Sequence, residues 1–308
     1  MKVVITGGAG FIGSHLAQFW SEKNAEVFII DNFRTGFKKN IAGLNVKLIE
    51  GSIEQKDLVF DVLEKADYVF NLAALVSVPE SIEKPEECIK INVNGLLNLL
   101  EAGKKHKVKK LVHTSSAAVY GDDPELPKTT KLKPNPKSPY GITKLDGEYY
   151  CNLYKEEFGV NTTSLRYFNV YGERQDPKSQ YAAAVPIFIS KALKNEEITI
   201  FGDGSQTRDF VYVKDIVKAN VMAAENLNIK GVFNIANGSY ITIKELAENI
   251  VKVTESNSSI INKPERAGDI KHSYASIEET TKEMGFKPDF NLEEGLKRTI
   301  NYFKDIIG

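Results

Sequence analysis

Short apolar runs alternate with longer amphipathic segments along the first half of the chain. The apolar runs predict strands at residues 2–6, 26–31, 46–51, 67–74, 108–116 and 161–169. The segments between them predict helices, one ending near residue 23 and others at 55–64, 85–106 and 139–158. Strands and helices that alternate at this spacing predict a mostly parallel, doubly wound α/β sheet, which binds ligands at the carboxyl ends of its strands.

A glycine-rich turn joins the first predicted strand to the first helix. It reads GGAGFIG, and Gly7, Gly10 and Gly13 have the spacing that lets backbone N–H groups and a helix N-terminus approach a pyrophosphate. Asp31 ends the next strand, where its carboxylate can accept both ribose hydroxyls of an adenosine and repel a 2′-phosphate. These features predict a Rossmann-type site that prefers NAD to NADP, and the nearby cation Arg34 weakens that preference.

The alternation weakens from about residue 172. We therefore expect an NAD-binding domain at 1–171 and a smaller C-terminal α/β domain for the substrate at 172–308, with some segments returning to the first domain. Within 172–308, the pattern predicts a polar loop and helix at 173–193, a strand at 232–236 and amphipathic helices at 243–254 and 292–306.

Composition excludes several classes of protein. The 308 residues are 42% hydrophobic and 26% charged with a net charge of −1, so a binder of nucleic acid is not expected. No apolar run reaches transmembrane length and no leader precedes the first strand, which predicts a cytoplasmic protein without a membrane partner. Cys88, Cys151 and the four histidines lack metal-ligand spacing, so no metal is predicted.

Tyr140 and Lys144 carry the candidate chemistry. Four residues apart on a helix, they lie on one face, where an ammonium can lower the pKa of the phenol. A phenolate base at pH 7 needs a shift of roughly 3 units, which Lys144 and a cationic nicotinamide together can supply. Ser115 and Ser116 end the fifth strand, where a hydroxyl can face the Tyr140 ring.

The motifs GGAGFIG, TSSAAVYG, PYGITK and RYFNVYG together resemble the extended short-chain dehydrogenase/reductase family, and within it the nucleotide-sugar 4-epimerases. The resemblance covers essentially the whole chain. It implies a UDP-hexose 4-epimerase, an isomerase with tightly held NAD that is regenerated in each turnover. It also implies a homodimer formed through residues 83–106 and the Tyr140 helix.

The resemblance assigns a role to each matching residue. Ser116, Tyr140 and Lys144 form the catalytic triad. The residues assigned to NAD are Gly7, Gly10, Phe11, Ile12, Gly13, Asp31, Asn32, Ser52, Ile53, Leu72, Ala73, Ala74, Asn92, Tyr140 and Lys144, with Asn92 acting through the catalytic lysine. The residues assigned to the UDP-sugar are Val76, Ser77, Ser116, Asn169, Gln175, Ala184, Val185, Arg208, Arg266, Asp269 and Ser273.

Departures from the family pattern bear on the substrate. Ser52 replaces a frequent aspartate near the adenine, and Val76 replaces a frequent lysine. Ala117 and Ala118 stand where the 4,6-dehydratases carry an Asp-Glu pair, and alanine cannot move protons, so dehydration is disfavoured. Ser273 stands where glucose-specific enzymes often carry tyrosine. Together with Gln175 in RQDPKSQYAA, it favours a sugar that carries an N-acetyl group.

Three alternatives stay open at this point. A uronate epimerase or decarboxylase of the same family would need a carboxylate-binding cation near the sugar, and the sequence does not identify one. A regulatory protein that senses NAD on the same fold would commonly lose the Tyr-Lys pair, which this chain retains. A plain reductase would need an exchangeable cofactor.

Overall fold

A computed structural model describes residues 1–177, 183–265 and 270–307. The strands of the amino-terminal half are β1 (Lys2–Thr6), β2 (Glu26–Asp31), β3 (Val46–Glu50), β4 (Tyr68–Asn71), β5 (Lys110–Ser116), β6 (Thr162–Tyr167) and β7 (Asn169–Tyr171). Those that follow are β8 (Ile198–Phe201), β9 (Thr207–Arg208), β10 (Phe210–Tyr212), β11 (Gly231–Ile235), β12 (Ile241–Thr242), β13 (Ile260–Lys263) and β14 (His272–Ser273).

The helices follow the same alternation. They are α1 (Phe11–Glu22), α2 (Lys56–Leu63), α3 (Val78–Glu83), α4 (Pro85–Ile89), α5 (Gly95–His106), α6 (Pro139–Phe158), α7 (Ala184–Leu193), α8 (Val213–Glu225), α9 (Ile243–Thr254), α10 (Glu278–Met284) and α11 (Leu292–Ile307). A π-helical turn, Lys90–Asn94, joins α4 to α5, so the predicted long helix at 85–106 is one helical rod with a widened turn inside it.

Within the described residues, seven strands form one main sheet in the order β11-β6-β5-β4-β1-β2-β3. All of its neighbouring strands are parallel. The strand order reverses between β1 and β4, and this switch point is where doubly wound sheets bind their ligands. The predicted Rossmann-type α/β fold is confirmed.

Apolar layers cover both faces of the main sheet. Val3 and Ile5 of β1 pack in the cluster that contains Trp20 of α1, whereas Val4 between them packs with Leu99 of α5. Successive side chains of a strand point to opposite faces, so a strand covered on both faces needs an uninterrupted apolar run. The sequence KVVIT supplies that run.

The predicted strand at 161–169 is two strands in the structure. Phe168 donates its backbone N–H to Ile235, and the next residue, Asn169, donates to Asp209 instead, with N···O distances of 3.1 Å in both cases. The chain therefore leaves the main sheet after Tyr167 and continues as β7, which pairs with β10. Hydrogen bonding between distant segments sets this division, and the apolar run itself gives no sign of it.

The carboxyl-terminal part is interleaved with the main sheet. Small sheets β8/β13, β12/β9/β14 and β10/β7 surround a second core to which α7, α9 and α11 contribute Ile189, Leu246 and Phe303. Strand β11 pairs with β6 at the edge of the main sheet, and α8 packs against α1. Residues 172–308 thus contribute one strand and one helix to the amino-terminal layer.

No helix in the described residues is long and apolar enough to cross a membrane. The same residues contain no group of three or more His, Cys, Asp or Glu side chains that could hold a metal ion.

Candidate active site

A cavity of about 1070 Å³ opens at the carboxyl edge of the main sheet. Its walls include the residues that end or directly follow β1 to β6, together with residues of α7, β8 and β9. Candidate residues that are distant in sequence therefore face one space. Those lining the cavity are Gly7, Gly10, Phe11, Ile12, Gly13, Asp31, Asn32, Ser52, Ile53, Leu72, Ala73, Ala74, Val76, Ser116, Tyr140, Lys144, Asn169, Gln175, Ala184, Val185 and Arg208.

The glycine-rich turn brings α1 close to β1 and β4. A Cβ atom on Gly13 would lie 2.1 Å from the carbonyl oxygen of Gly7, and one on Gly7 would lie 2.9 Å from the backbone nitrogen of Ala73. Gly7 also has a φ of +67°, which disfavours any residue with a side chain. No side chain caps the N-terminus of α1, and its first turn contains no acidic residue. This open, positively polarised helix end fits a pyrophosphate.

Asp31 is buried at the end of β2 and organises the loops around it. Its Oδ2 accepts a hydrogen bond from Ala9 N at 2.9 Å, and its Oδ1 accepts one from Phe33 N at 2.8 Å. Each oxygen keeps a second lone pair for a hydroxyl donor. Gly36 folds over the carboxylate, and a Cβ there would come within 3.0 Å of both oxygens. The arrangement fits an adenosine ribose with two free hydroxyls.

Tyr140 and Lys144 lie in the same cavity at the start of α6. This helix begins where predicted because Ser138 accepts a hydrogen bond from Gly141 N at 3.2 Å and Pro139 occupies the first turn. The Lys144 Nζ atom is 5.8 Å from the centre of the Tyr140 ring and donates to the carbonyl oxygen of Thr114 at 2.7 Å. Ser116 hydrogen-bonds to the Tyr140 hydroxyl. The candidate triad is therefore assembled.

The protonation behaviour of the pair differs from the expectation. Burial raises the pKa of Tyr140 above its ordinary value, and the hydrogen bond with Ser116 only partly opposes the rise. Burial lowers the pKa of Lys144 from 10.5 to about 8. Lys144 alone therefore does not lower the pKa of the phenol, because it shares the same desolvated environment. If Tyr140 acts as the predicted base, the cationic ring of a bound nicotinamide would supply the rest of the stabilisation of its phenolate.

A buried polar network supports the floor of the cavity. Thr6 Oγ1 donates to Asn71 Oδ1 at 2.9 Å and accepts from Ala73 N at 3.1 Å, which fixes the loop after β4. Asn71 in turn lies 3.2 Å from Nδ1 of His113, and burial lowers the pKa of that histidine well below its ordinary value. His113 is accordingly neutral beneath Lys144.

Asn92 lies on the π-helical turn behind the cavity wall. It accepts a hydrogen bond from Leu75 N at 2.8 Å and donates to Leu75 O at 3.1 Å and to Thr143 Oγ1 at 3.0 Å. It therefore connects the loop after β4 to the helix that carries Tyr140 and Lys144. Its predicted action through the catalytic lysine stays a prediction.

The substrate candidates divide into three groups. Asn169 and Arg208 flank Asp209, whose backbone oxygen accepts from Asn169 Nδ2 at 3.0 Å. Ser273 lies beside Arg208 in the β14/β9 register but is not among the lining residues, and neither is Ser77, which caps α3. The predictions for Arg266 and Asp269 fall outside the described residues.

Two residues of the site, Asp209 and Arg174, are not predicted from the sequence. Asp209 is fully buried and accepts backbone hydrogen bonds from Asn237, Gly238 and Ala275, which fixes the loops beside Arg208. Burial raises its pKa from 3.8 to about 7. The sequence signal for Asp209 is a carboxylate placed between Arg208 and the apolar strand β10. Arg174 also lines the cavity, and its positive φ and contact with α1 are not readable from its neighbours in sequence.

The fold and the glycine-rich turn together define a protein of the Rossmann class with a Tyr-Lys pair in its dinucleotide cavity. A model of the NAD dependent epimerase/dehydratase family matches residues 3–236. The chain is 41% identical to the UDP-N-acetylglucosamine 4-epimerase of Methanobrevibacter ruminantium, whose structure was solved with UDP-N-acetylmuramic acid. Coverage is 99% of this chain and 98% of the other, with a TM-score of 0.95.

Two further relatives extend the comparison. The UDP-glucose 4-epimerase of Thermotoga maritima, solved with UDP-glucose, is 38% identical over 100% of both chains with a TM-score of 0.95. A UDP-N-acetyl-alpha-D-glucosaminuronate decarboxylase of Bacillus cytotoxicus is 35% identical over 99% of this chain and 98% of its own length. The protein belongs to the NAD dependent epimerase/dehydratase family of the extended short-chain dehydrogenases/reductases. The predictions of the family, of an enzyme and of NAD as cofactor are confirmed.

Proposed function

We propose that the protein interconverts UDP-hexoses at carbon 4, acting on UDP-glucose and UDP-galactose and also on their N-acetylated counterparts. The observation that carries the proposal is that Ser116, Tyr140 and Lys144 share one cavity with the glycine-rich turn and with Arg208. A base, a dinucleotide-binding turn and a cation that line one cavity suit a sugar joined to a diphosphate.

The chain's own residues account for the proton transfers. Tyr140, deprotonated and hydrogen-bonded to Ser116, accepts the proton of the sugar 4-hydroxyl. Lys144, fixed on the Thr114 carbonyl oxygen, keeps a positive charge near the phenol up to a pH of about 8. Bound NAD supplies reversible oxidation at carbon 4. Tyr140 then returns its proton to the oxygen after the 4-ketose has presented its other face.

At the two positions after Ser116, the chain carries no group that could divert the ketose toward dehydration. Ala117 and Ala118 follow Ser116 in a 3₁₀ turn, and neither side chain can move a proton. Elimination of water at carbons 5 and 6 requires such an acid and base. Return of the oxidised sugar to one of two epimers is the outcome that the remaining groups support.

Contacts to the diphosphate and to the sugar 2-substituent are also proposed. We assign Arg208, Asn169 and, beyond the described residues, Arg266 and Asp269 to the uridine diphosphate. Ser273 lies beside Arg208 in the strand register but does not line the cavity, so we assign it to the sugar 2-substituent from its sequence position, where a small side chain suits an N-acetyl group. Gln175, whose Nε2 donates to Val170 O at 3.2 Å, lies in the cavity wall and is compatible with the same substrate.

The proposal is tested by incubating the purified protein with UDP-glucose and with UDP-N-acetylglucosamine in separate reactions without added NAD. We expect UDP-galactose and UDP-N-acetylgalactosamine, identified by chromatography and NMR. NAD released on denaturation of the same preparation establishes that the cofactor was present. Absence of both products from a preparation that retains NAD would refute the proposal, and conversion of UDP-glucose alone would refute the N-acetyl assignment.

A uronate substrate is the second candidate, and Arg174 is the observation that favours it. Arg174 is among the residues that line the cavity, and a cation near the sugar is what a carboxylate substrate needs. Its Nη2 donates to Gln18 Oε1 and its Nη1 is buried without a hydrogen-bond partner among the described residues, so a carboxylate could reach the guanidinium only after the side chain turns toward the cavity. Incubation with UDP-glucuronate separates the candidates, because its turnover to a 4-epimer or a pentose product, without turnover of neutral hexoses, would replace the first proposal.

We also propose a homodimer built on α4 and α6. Ile89 of α4 is exposed, and so are Ile142, Tyr149 and Leu153 on one side of α6, with exposed fractions between 46% and 62%. Adjacent exposed apolar side chains of this number are typical of a protein contact. The two helices pack against each other, so their outer faces form one continuous patch.

Replacing both Tyr149 and Leu153 by glutamate is expected to convert the dimer to a monomer, because the change buries charge in a self-complementary contact. Light scattering after gel filtration measures the mass. The control is Leu227→Glu, which adds a charge at an exposed leucine that belongs to neither α4 nor α6. Equal masses for the wild-type chain and the Tyr149/Leu153 variant would contradict the assignment of this surface.

A further inference from the structure

We propose that the preference for NAD over NADP depends on an ion-pair cluster that holds Arg34 away from the ribose 2′-position. The cluster consists of Arg34 with Glu80, Lys84 and Glu87, and is called the Arg34 cluster below. The proposal rests on the NAD dependence of the family and not on the identity of the sugar. It makes two acidic residues, distant in sequence from the glycine-rich turn, determinants of cofactor choice.

Arg34 lies at a position where a cation would favour NADP over NAD. It follows Asp31 by three residues and lines the same cavity. The turn between them is fixed, because Asp31 Oδ1 accepts from Phe33 N at 2.8 Å and Asn32 Oδ1 accepts from Arg34 N at 3.1 Å. An arginine near the adenosine ribose accommodates the 2′-phosphate in NADP-dependent enzymes of this fold, since its guanidinium binds phosphate with two parallel hydrogen bonds.

Both terminal nitrogens of this guanidinium are already engaged. Arg34 Nη2 donates to Glu80 Oε1 at 2.7 Å, and Nη1 donates to Glu87 Oε1. Glu80 belongs to α3 and Glu87 to α4, so the two helices hold the arginine from outside the nucleotide loop. The arginine in turn lowers the pKa of both glutamates, which stay ionised at neutral pH.

The charges of the cluster compensate one another. Lys84 lies 3.4 Å from Glu80 and 4.0 Å from Glu87, so two cations meet two carboxylates. The carboxylate of Asp31 is not compensated by this cluster and gives the neighbourhood a net negative charge. That charge disfavours binding of the doubly charged 2′-phosphate of NADP. The cation of the loop therefore does not offset the repulsion that Asp31 provides.

The cluster also fixes the helix beside the catalytic residues. Ser81 follows Glu80, is fully buried, and accepts a hydrogen bond from the backbone N–H of Tyr140 at 3.2 Å. The helix that carries Glu80 is therefore held in place beside the nucleotide loop, and removal of both carboxylates is the direct way to release Arg34.

The experiment measures which cofactor the holoenzyme holds. Wild-type protein and the double variant Glu80→Gln/Glu87→Gln are incubated with equal concentrations of NAD and NADP until the retained ratio is constant, which shows that the tightly held cofactor has exchanged. Each is then passed through a desalting column and denatured, and the released nucleotides are quantified. We expect the retained NAD/NADP ratio to fall about tenfold in the variant, which is the effect of one charge-assisted hydrogen bond. The nucleotides retained by protein freshly purified from cells give a second reading of the same ratio.

Two controls isolate the role of Arg34. Glu83→Gln/Glu86→Gln removes the same charge from the same two helices at exposed residues that form no ion pair with a described residue, and its ratio should stay at the wild-type value. Adding Arg34→Ala to the Glu80/Glu87 variant should restore a ratio near the wild-type value, because the freed cation is gone.

The outcomes separate this inference from the proposed function. An unchanged ratio in Glu80→Gln/Glu87→Gln would overturn it, as would an equal fall in Glu83→Gln/Glu86→Gln, which would show a general effect of charge. Failure of Arg34→Ala to reverse the fall would overturn it as well. None of these results depends on which UDP-sugar is turned over, since no sugar is present.

Discussion

Replacing Tyr140 by phenylalanine is expected to lower the rate of epimerisation roughly 10²- to 10⁴-fold, the range associated with loss of a general acid-base group. The ring lies in the cavity with its hydroxyl hydrogen-bonded to Ser116, and the substitution removes only that oxygen. Packing of the ring against the cluster of Leu75, Cys88 and Ile91 is retained. Retained NAD and the melting temperature should therefore stay close to the wild-type values.

The matched control for this variant is Tyr149→Phe. Tyr149 lies on the same helix, is 62% exposed and does not line the cavity, so loss of its hydroxyl should leave the rate unchanged. Coupled assays with UDP-glucose measure both variants. A rate for Tyr140→Phe within a few-fold of the wild type would remove Tyr140 from the role of base.

Replacing Gly13 by alanine is expected to abolish retention of NAD and to destabilise the fold. The added Cβ would lie 2.1 Å from Gly7 O and 2.8 Å from Gly8 Cα, and these backbone atoms cannot rotate away as a side chain could. The start of α1 must therefore move away from the glycine-rich turn, which displaces the N–H groups that are predicted to bind the pyrophosphate. Overpacking of this kind costs about 1–3 kcal/mol in free energy of unfolding.

Gly103→Ala provides the comparison on another buried helix. A Cβ there meets Val160 Cγ1 at 3.8 Å and Val108 Cβ at 3.9 Å, which are ordinary contacts. Loss of glycine from a helix should raise stability by about 0.4–1 kcal/mol, because the unfolded chain loses freedom. Nucleotide release and thermal melts test the pair. If Gly13→Ala retained NAD and melted with the wild type, α1 could not be packed against the turn as described.

The sequence predicts the elements whose ends carry local signals. Helix α6 extends from Pro139 to Phe158 as predicted, because Ser138 caps its start and Gly159, with a φ of +69°, ends it. β1 also has its predicted bounds, residues 2–6. The first three strands follow the apolar runs closely, whereas the predicted strand at 67–74 is the shorter β4, which ends at Asn71, and the one predicted at 108–116 begins at Lys110.

The parts that the sequence does not reveal depend on contacts between distant segments. The division of the predicted 161–169 strand at Phe168 follows from partners near residues 209 and 235. Asp209 is surrounded by backbone donors from two later loops, which no local pattern encodes. The direction of the Tyr140 pKa shift likewise depends on how deeply the folded chain buries the ring. The spacing of titratable residues in the sequence predicts which of them lie close together. It does not predict how strongly burial shifts the pKa of each.

The pairing of β11 with β6 limits how this protein can be cut or recombined. All six residues of β6 are buried, and a fragment ending at residue 171 would leave this strand as an unprotected sheet margin prone to self-association. A chimera that exchanges everything after residue 171 with a relative would import a foreign strand and helix into the nucleotide half. Grafts of substrate specificity should therefore keep residues 213–235 from the parent that supplies the amino-terminal half.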